Sequence, residues 1–288
     1  MHNALTIDVE DYYQVSAFES LVRFENWERY ESRVERNTSR LLDLFDAHAT
    51  HATFFVLGWV AERHPSLVRA IHGRGHEVAS HGYAHQRIYT QTPEQFRTET
   101  QRAKHILEDI IGQPILGYRA ASYSITVESL WALDILQDLG FVYDSSIFPV
   151  HHDRYGIPQA QRFCHVLNEY KENSLVEFPL STVQCMGMNI PIAGGGYFRL
   201  FPYAFTRWGL RRVNQKERHP VVVYLHPWEI DPDQPRLPAR GLSRWRHYVN
   251  LARTEKRLLH LLRDFQWGTM AEVLQQLGFL TTHCPQAT

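Results

Sequence analysis

Short apolar runs recur along the first half of this chain, separated by stretches with helical spacing. Ala4–Ile7, Ala52–Leu57, His76–Ala79, Leu116–Arg119 and Phe141–Tyr143 read as short buried strands. Helices fall between them. Asn37-Thr-Ser39 offers caps ahead of Leu41, Leu42, Leu44 and Phe45, and Val60–His72 runs up to Gly73 and Gly75. Pro93 opens a long amphipathic helix to Ile111, stopped by Gly112 and Pro114, and a helix from Glu128 to Leu139 ends at Gly140. Strand and helix in alternation predict parallel strands with crossover helices. From about His151 the rhythm breaks. Leu175–Phe178 and Val183 read as strand, Gly194–Gly196 as a loop, Tyr203–Val213 as a helix and Val221–Leu225 as another buried strand. A proline-rich loop over 227–238 and helices over 243–263 and 269–277 complete the chain. No repeat or linker interrupts it, so one domain over 1–288 is expected, with 229–288 as a helical extension packed on it.

Composition narrows the function class. The 288 residues carry 30 Lys plus Arg against 31 Asp plus Glu, a net charge of −1 that offers no broad field for nucleic acid. No apolar run reaches the roughly 18 residues of a membrane span, and the first residues, Met1–Asp8, lack a basic, apolar leader. Cys164, Cys185 and Cys284 are far apart with no C-x-x-C pair, against a thiolate zinc site and in keeping with a reducing compartment. A cytoplasmic location is the expectation.

Three of the apolar runs end in residues able to bind metal or move protons. The first closes on Asp8-Val-Glu10-Asp11, the third on His81 with His85 four residues on, and the last on His226. Each is ordinary alone: a helix-start acidic turn, a solvent-facing histidine pair, a core histidine. On a helix, positions i and i+4 would place both imidazoles on one face. Strand ends are where α/β folds gather their chemistry, and together these residues make a two-histidine, one-carboxylate metal site with a spare carboxylate as base. Tyr12, Tyr13, Tyr123, Trp228 and the Gly194–Arg199 loop are candidates to line a groove beside these residues.

These residues resemble, in order, the five motifs of the polysaccharide deacetylases with a NodB homology domain, carbohydrate esterase family 4. Thr6-Ile-Asp-Val-Glu-Asp11 is similar to the first, with Asp8 in the base position and Glu10, or alternatively Asp11, as the acidic ligand. Ser80-His-Gly-Tyr-Ala-His85 resembles the second, with Gly82 at the hydroxyl position, and implies His81 and His85 as ligands. Arg119-Ala-Ala-Ser-Tyr123 resembles the third, with Ala121 in place of proline. It implies that Arg119 holds the base and that a backbone N–H, nearest at Tyr123, faces the oxyanion. Tyr143-Asp-Ser-Ser146 and Tyr224-Leu-His226 resemble the fourth and fifth, and imply that Asp144 orients His226 as general acid. Gly194-Gly-Gly-Tyr-Phe-Arg199 is similar to the exopolysaccharide-locus branch that accompanies PEP-CTERM sorting.

The resemblance covers about Leu5 to Trp228. It implies an α/β fold, a distorted, incomplete (β/α) barrel of about seven strands with an elaborated C-terminal third. It further implies hydrolysis of N-acetyl groups on a polysaccharide or oligosaccharide amino sugar, with a divalent cation: zinc first, or cobalt, nickel or manganese. Trp228 and Tyr123 are then substrate-binding candidates. Two other readings are a small-amide hydrolase of allantoinase type and a catalytically degenerate carbohydrate-binding protein.

Overall fold

In a computed structural model, which describes residues 1–167, 174–239 and 241–280, the apolar runs become the strands of one curled sheet. The strands are β1 (His2–Val9), β2 (Thr53–Val56), β3 (Glu77–Ser80), β4 (Gly117–Tyr118), β5 (Tyr143–Asp144), β6 (His165–Val166), β7 (Val176–Glu177), β8 (Thr182–Cys185), β9 (Met188–Pro191), β10 (Val222–Leu225) and β11 (Gln266–Gly268). The main sheet runs β10-β1-β2-β3-β4-β5-β7-β6. The pairings from β10 to β7 are all parallel, and β6 adds an antiparallel edge. The seven strands from β10 to β7 agree with the expected count of about seven, and β11 adds an eighth parallel strand beside β1. Among the described residues, no strand pairing closes the barrel. Between β7 and β10 stand the β8–β9 hairpin and a single bridge from Gly194 to Tyr224.

The helices are α1 (Val34–Asp46), α2 (Gly58–Arg63), α3 (Pro65–Gly73), α4 (Pro93–Ile111), α5 (Trp131–Asp138), α6 (Gly195–Leu200), α7 (Tyr203–Arg212), α8 (Gly241–Tyr248), α9 (Leu251–Asp264) and α10 (Met270–Gln276). Strand residues such as Ile7, Phe54, Phe55 and Val223 are fully buried. They read as continuous apolar runs because parallel strands are covered on both faces.

Several expectations need correction. The helix predicted over Val60–His72 is two helices, because Pro65 disfavours a helical His64 (φ −126°, ψ 56°) and starts α3 afresh. The helix predicted over 243–263 breaks at Asn250, which is left-handed at φ 54°. The extension after 229 is not purely helical, since β11 pairs with the start of β1. Gly194–Gly196 is not a mobile loop but the entry to α6. A Cβ at Gly194 would lie 1.9 Å from the Tyr224 carbonyl oxygen, so only glycine lets this segment bridge to β10. Cys164 and Cys185 are free thiols, and Cys284 lies outside the described residues.

Candidate active site

Asp8, at the C-terminal end of β1, is 2% exposed and held on both oxygens. Arg119 Nη1 donates to Oδ1 at 2.7 Å, and the Tyr123 hydroxyl donates to Oδ2 at 3.3 Å. Arg119 is fully buried and is fixed in turn by Thr6 Oγ1, the Ser145 carbonyl and Ser145 Oγ. Burial pushes the Asp8 carboxyl up, but Arg119, His81 and His226 together outweigh it and leave the pKa below the ordinary value. Asp8 is thus an ionised carboxylate, locked in place and available to accept a proton.

Glu10, His81 and His85 converge beside it. One donor atom from each lies within 4.8 Å of the others. The two histidines follow the end of β3, where the sequence placed them, and not a helix. They sit on a turn with left-handed Gly82 (φ 73°) and His85 (φ 51°), which brings the rings to 5.4 Å. That turn is anchored because the first N–H groups of α2, from Gly58 and Trp59, donate to the carbonyls of Gly82 and Tyr83. His81 Nδ1 lies 2.8 Å from the Arg119 carbonyl, which only accepts, so Nδ1 carries the proton and Nε2 stays free as a ligand.

The donor set fits a divalent cation. Glu10 Oε2 is buried and 2.8 Å from His85 Nε2, yet makes no aligned hydrogen bond to it. Two ligand atoms facing one ion would sit this way, and two imidazoles with one carboxylate leave an open position for water. Burial would raise the Glu10 carboxyl, but the facing His85 and His226 hold it down at about 2. Burial lowers His81 to about 4, so it stays neutral, as a ligand must.

Asp11 does not join them, and its candidacy as a ligand is corrected. Its carboxylate accepts from the backbone N–H groups of Tyr12, Arg33 and Val34 and from Ser32 Oγ, which ties β1 to the start of α1.

His226, after β10, closes the opposite side. Its Nε2 lies 3.3 Å from Glu10 Oε1 and 3.9 Å from Asp8 Oδ2. Its Nδ1 meets Glu229 Oε1 at 2.5 Å, and Glu229 Oε2 accepts from Arg199 Nε at 3.1 Å. Burial alone would lower the imidazole, but Glu10 and Glu229 raise it to about 9, which makes it a proton donor at neutral pH. The expectation that Asp144 orients His226 is therefore corrected. Asp144 Oδ1 accepts from Ser146 Oγ at 2.5 Å, and Asp144 pairs across the sheet with Glu177. Glu229 went unnoticed in the sequence, although H-x-x-E across a single helical turn puts both side chains on one face. Arg199 lay in the glycine-rich segment, and nothing local betrayed its contact with Glu229.

The aromatic candidates divide. Tyr123 points its hydroxyl at Asp8, but its backbone N–H closes a turn on the Ala120 carbonyl, so it is not the expected oxyanion donor. Trp228 lines the cavity, donates from Nε1 to Glu10 Oε1 at 3.3 Å and stacks between His226 and His247. Tyr12 and Tyr13 are core residues at 1% exposure, packed edge to face, and are not among the residues that line this cavity.

Comparison with known proteins follows the same division. A polysaccharide deacetylase family model matches residues 24–143, and a domain of unknown function, DUF3473, matches residues 145–275. A peptidoglycan-N-acetylglucosamine deacetylase of Bacillus cereus is 32% identical over 75 residues, covering 26% of this chain and 27% of that protein. A chitooligosaccharide deacetylase of Bradyrhizobium sp. is 30% identical over 99 residues, covering 34% of this chain and 43% of that protein. The chain thus spans less than half the length of these curated relatives. In fold, it is similar over 99% of its length to a provisionally named polysaccharide deacetylase from Mycobacterium smegmatis, with a TM-score of 0.61, 22% identity and 93% of that chain covered. It is likewise similar over 97% of its length to the Puue allantoinase, with a TM-score of 0.60, 17% identity and 90% of that chain covered. His226, Glu229 and Arg199 all fall in the stretch of unknown function, so that stretch completes the cluster begun by Asp8, Glu10, His81 and His85. Over residues 24–143 the chain is thus similar to the polysaccharide deacetylase family.

Proposed function

We propose that this protein is a metal-dependent hydrolase that removes N-acetyl groups from amino sugars of a polysaccharide. The observation that carries the reading is the placement of three units around one point. An arginine-locked carboxylate (Asp8), a two-histidine, one-carboxylate donor set (His81, His85, Glu10) and a charged imidazole (His226) all meet in one cavity. A divalent ion held by Glu10, His81 and His85, zinc being the first choice for such a set, would lower the pKa of a water and polarise the acetyl carbonyl.

Asp8 takes the proton from the attacking water, and Arg119 keeps its carboxylate ionised and aimed. His226, charged and held at Nδ1 by Glu229, gives its proton to the amide nitrogen as the C–N bond breaks. Trp228 packs against the imidazole and steadies Glu10. The relatives named as deacetylases support the reaction class, and the likeness of Gly194–Arg199 to the exopolysaccharide branch supports an exopolysaccharide as substrate.

Asp8→Asn and His226→Ala test the roles. Each should cut acetate release from an N-acetylated oligosaccharide by about 10²- to 10⁴-fold while circular dichroism stays native. Full activity in either variant would sink the assignment.

A further inference from the structure

The floor and the mouth of the catalytic cavity, which holds about 340 Å³, differ in charge. Two of the lining arginines face carboxylates: the buried Arg199 faces Glu229, and the half-buried Arg87 faces Glu19. At the mouth this compensation stops. Arg154, from the loop after β5, and Arg246, on α8, line the same cavity, and both are exposed. Among the described residues neither guanidinium has a carboxylate within ion-pair distance. The nearby Asp153 pairs instead with His152 at 3.0 Å.

Both arginines act on one spot. The His152 imidazole is held below its ordinary value first by burial and then, against the pull of Asp153, by the charges of Arg246 and Arg154. His152 also stacks on Tyr155 at 3.8 Å, which fixes this side of the mouth. Trp245, next to Arg246, is 50% exposed and lines the cavity too, leaving an indole face for a sugar ring. Two like charges gathered at one opening repel, unless an anion comes to lie between them.

We propose that the sugar chain bound here is anionic. A carboxylate or phosphate on a residue flanking the N-acetylated sugar is held by Arg154 and Arg246, with Trp245 against a ring face. The proposal rests on the deacetylase reading of the site and adds the substrate class.

The test compares oligosaccharides of equal length: an N-acetylglucosamine homo-oligomer, an alternating N-acetylglucosamine–glucuronate oligomer and a phosphodiester-linked N-acetylglucosamine oligomer. The kcat/KM of one of the acidic oligomers should exceed that of the neutral one by about tenfold, the worth of one charge-assisted contact. Whichever acid is favoured identifies the source of the charge. The advantage should collapse in the R154Q/R246Q double variant, and also in about 1 M sodium chloride, where the screening length is about 3 Å. A neutral oligomer that is turned over as well as both acidic ones, or an advantage that survives in the double variant, would overturn the proposal. If no oligomer releases acetate, the deacetylase reading falls, and calorimetric titration with acetyl-free glucuronate and phosphodiester oligomers decides the charge question alone. Binding lost in R154Q/R246Q supports the proposal, and no binding by the unaltered protein overturns it.

Discussion

Asp8, Glu10 and Asp11 lie within four residues yet meet three environments. Asp8 faces a guanidinium, Glu10 faces two imidazoles and Asp11 faces backbone N–H groups. That acids cluster at this strand end was legible in the sequence. Which of Glu10 and Asp11 faces the histidines was not, because it turns on Arg33 and Val34, more than twenty residues on, presenting N–H groups to Asp11. The two acids should therefore fail differently. Glu10→Gln should lose bound metal, read by elemental analysis. Asp11→Ala should keep its metal and lose about 1–2 kcal/mol of stability in urea, the usual cost of removing a helix-start acceptor. Metal loss in Asp11→Ala alone would reverse the two roles. Glu229 was equally hidden, because the motif resemblance pointed to Asp144. Glu229→Gln should lower kcat by roughly tenfold or more while leaving KM little changed, since it disturbs the proton donor and not the sugar contacts. An equal loss in Asp144→Asn with none in Glu229→Gln would restore the original expectation.

The elements that carry the site were readable where apolar runs ended in chemistry, and unreadable where the backbone turned. The strand-end position of His81 and His85 was readable, but not the left-handed turn that pairs them, which α2 anchors by a long-range contact. The glycine-rich segment read as a loop because its partner, the Tyr224 carbonyl, lies thirty residues further on. The two-residue strands β4 and β5 came through because polar residues of chemical interest follow them. Between β5 and β7, Asp144 and Glu177 sit opposite each other, fully buried. Burial raises Asp144 to about 6, and burial together with Asp144 raises Glu177 well above its ordinary value. The folded protein therefore keeps protons that the unfolded chain releases near pH 4. Stability from this pair is present below that pH and falls as pH rises through about 6. Glu177→Gln should flatten the fall in urea midpoint between about pH 4 and pH 6. An unchanged slope would mean that the pair does not share this burden.

At the scale of the whole molecule, the two sequence stretches that match separate family descriptions build one sheet. β10, from the second stretch, lies against β1 and delivers His226 beside Asp8 and Glu10. The seven strands from β10 to β7 could be read from apolar runs, but β6 and β11 could not, since neither lies within a longer apolar run. The central claim is that the donor set and the locked carboxylate together make a metal-dependent deacetylase. It is tested most directly by acetate release from an N-acetylated oligosaccharide, assayed as purified, after chelation and after zinc is returned, with metal content measured in the same samples. Activity should vanish with the metal and return with about one ion per chain. Undiminished acetate release from metal-free protein would contradict the claim.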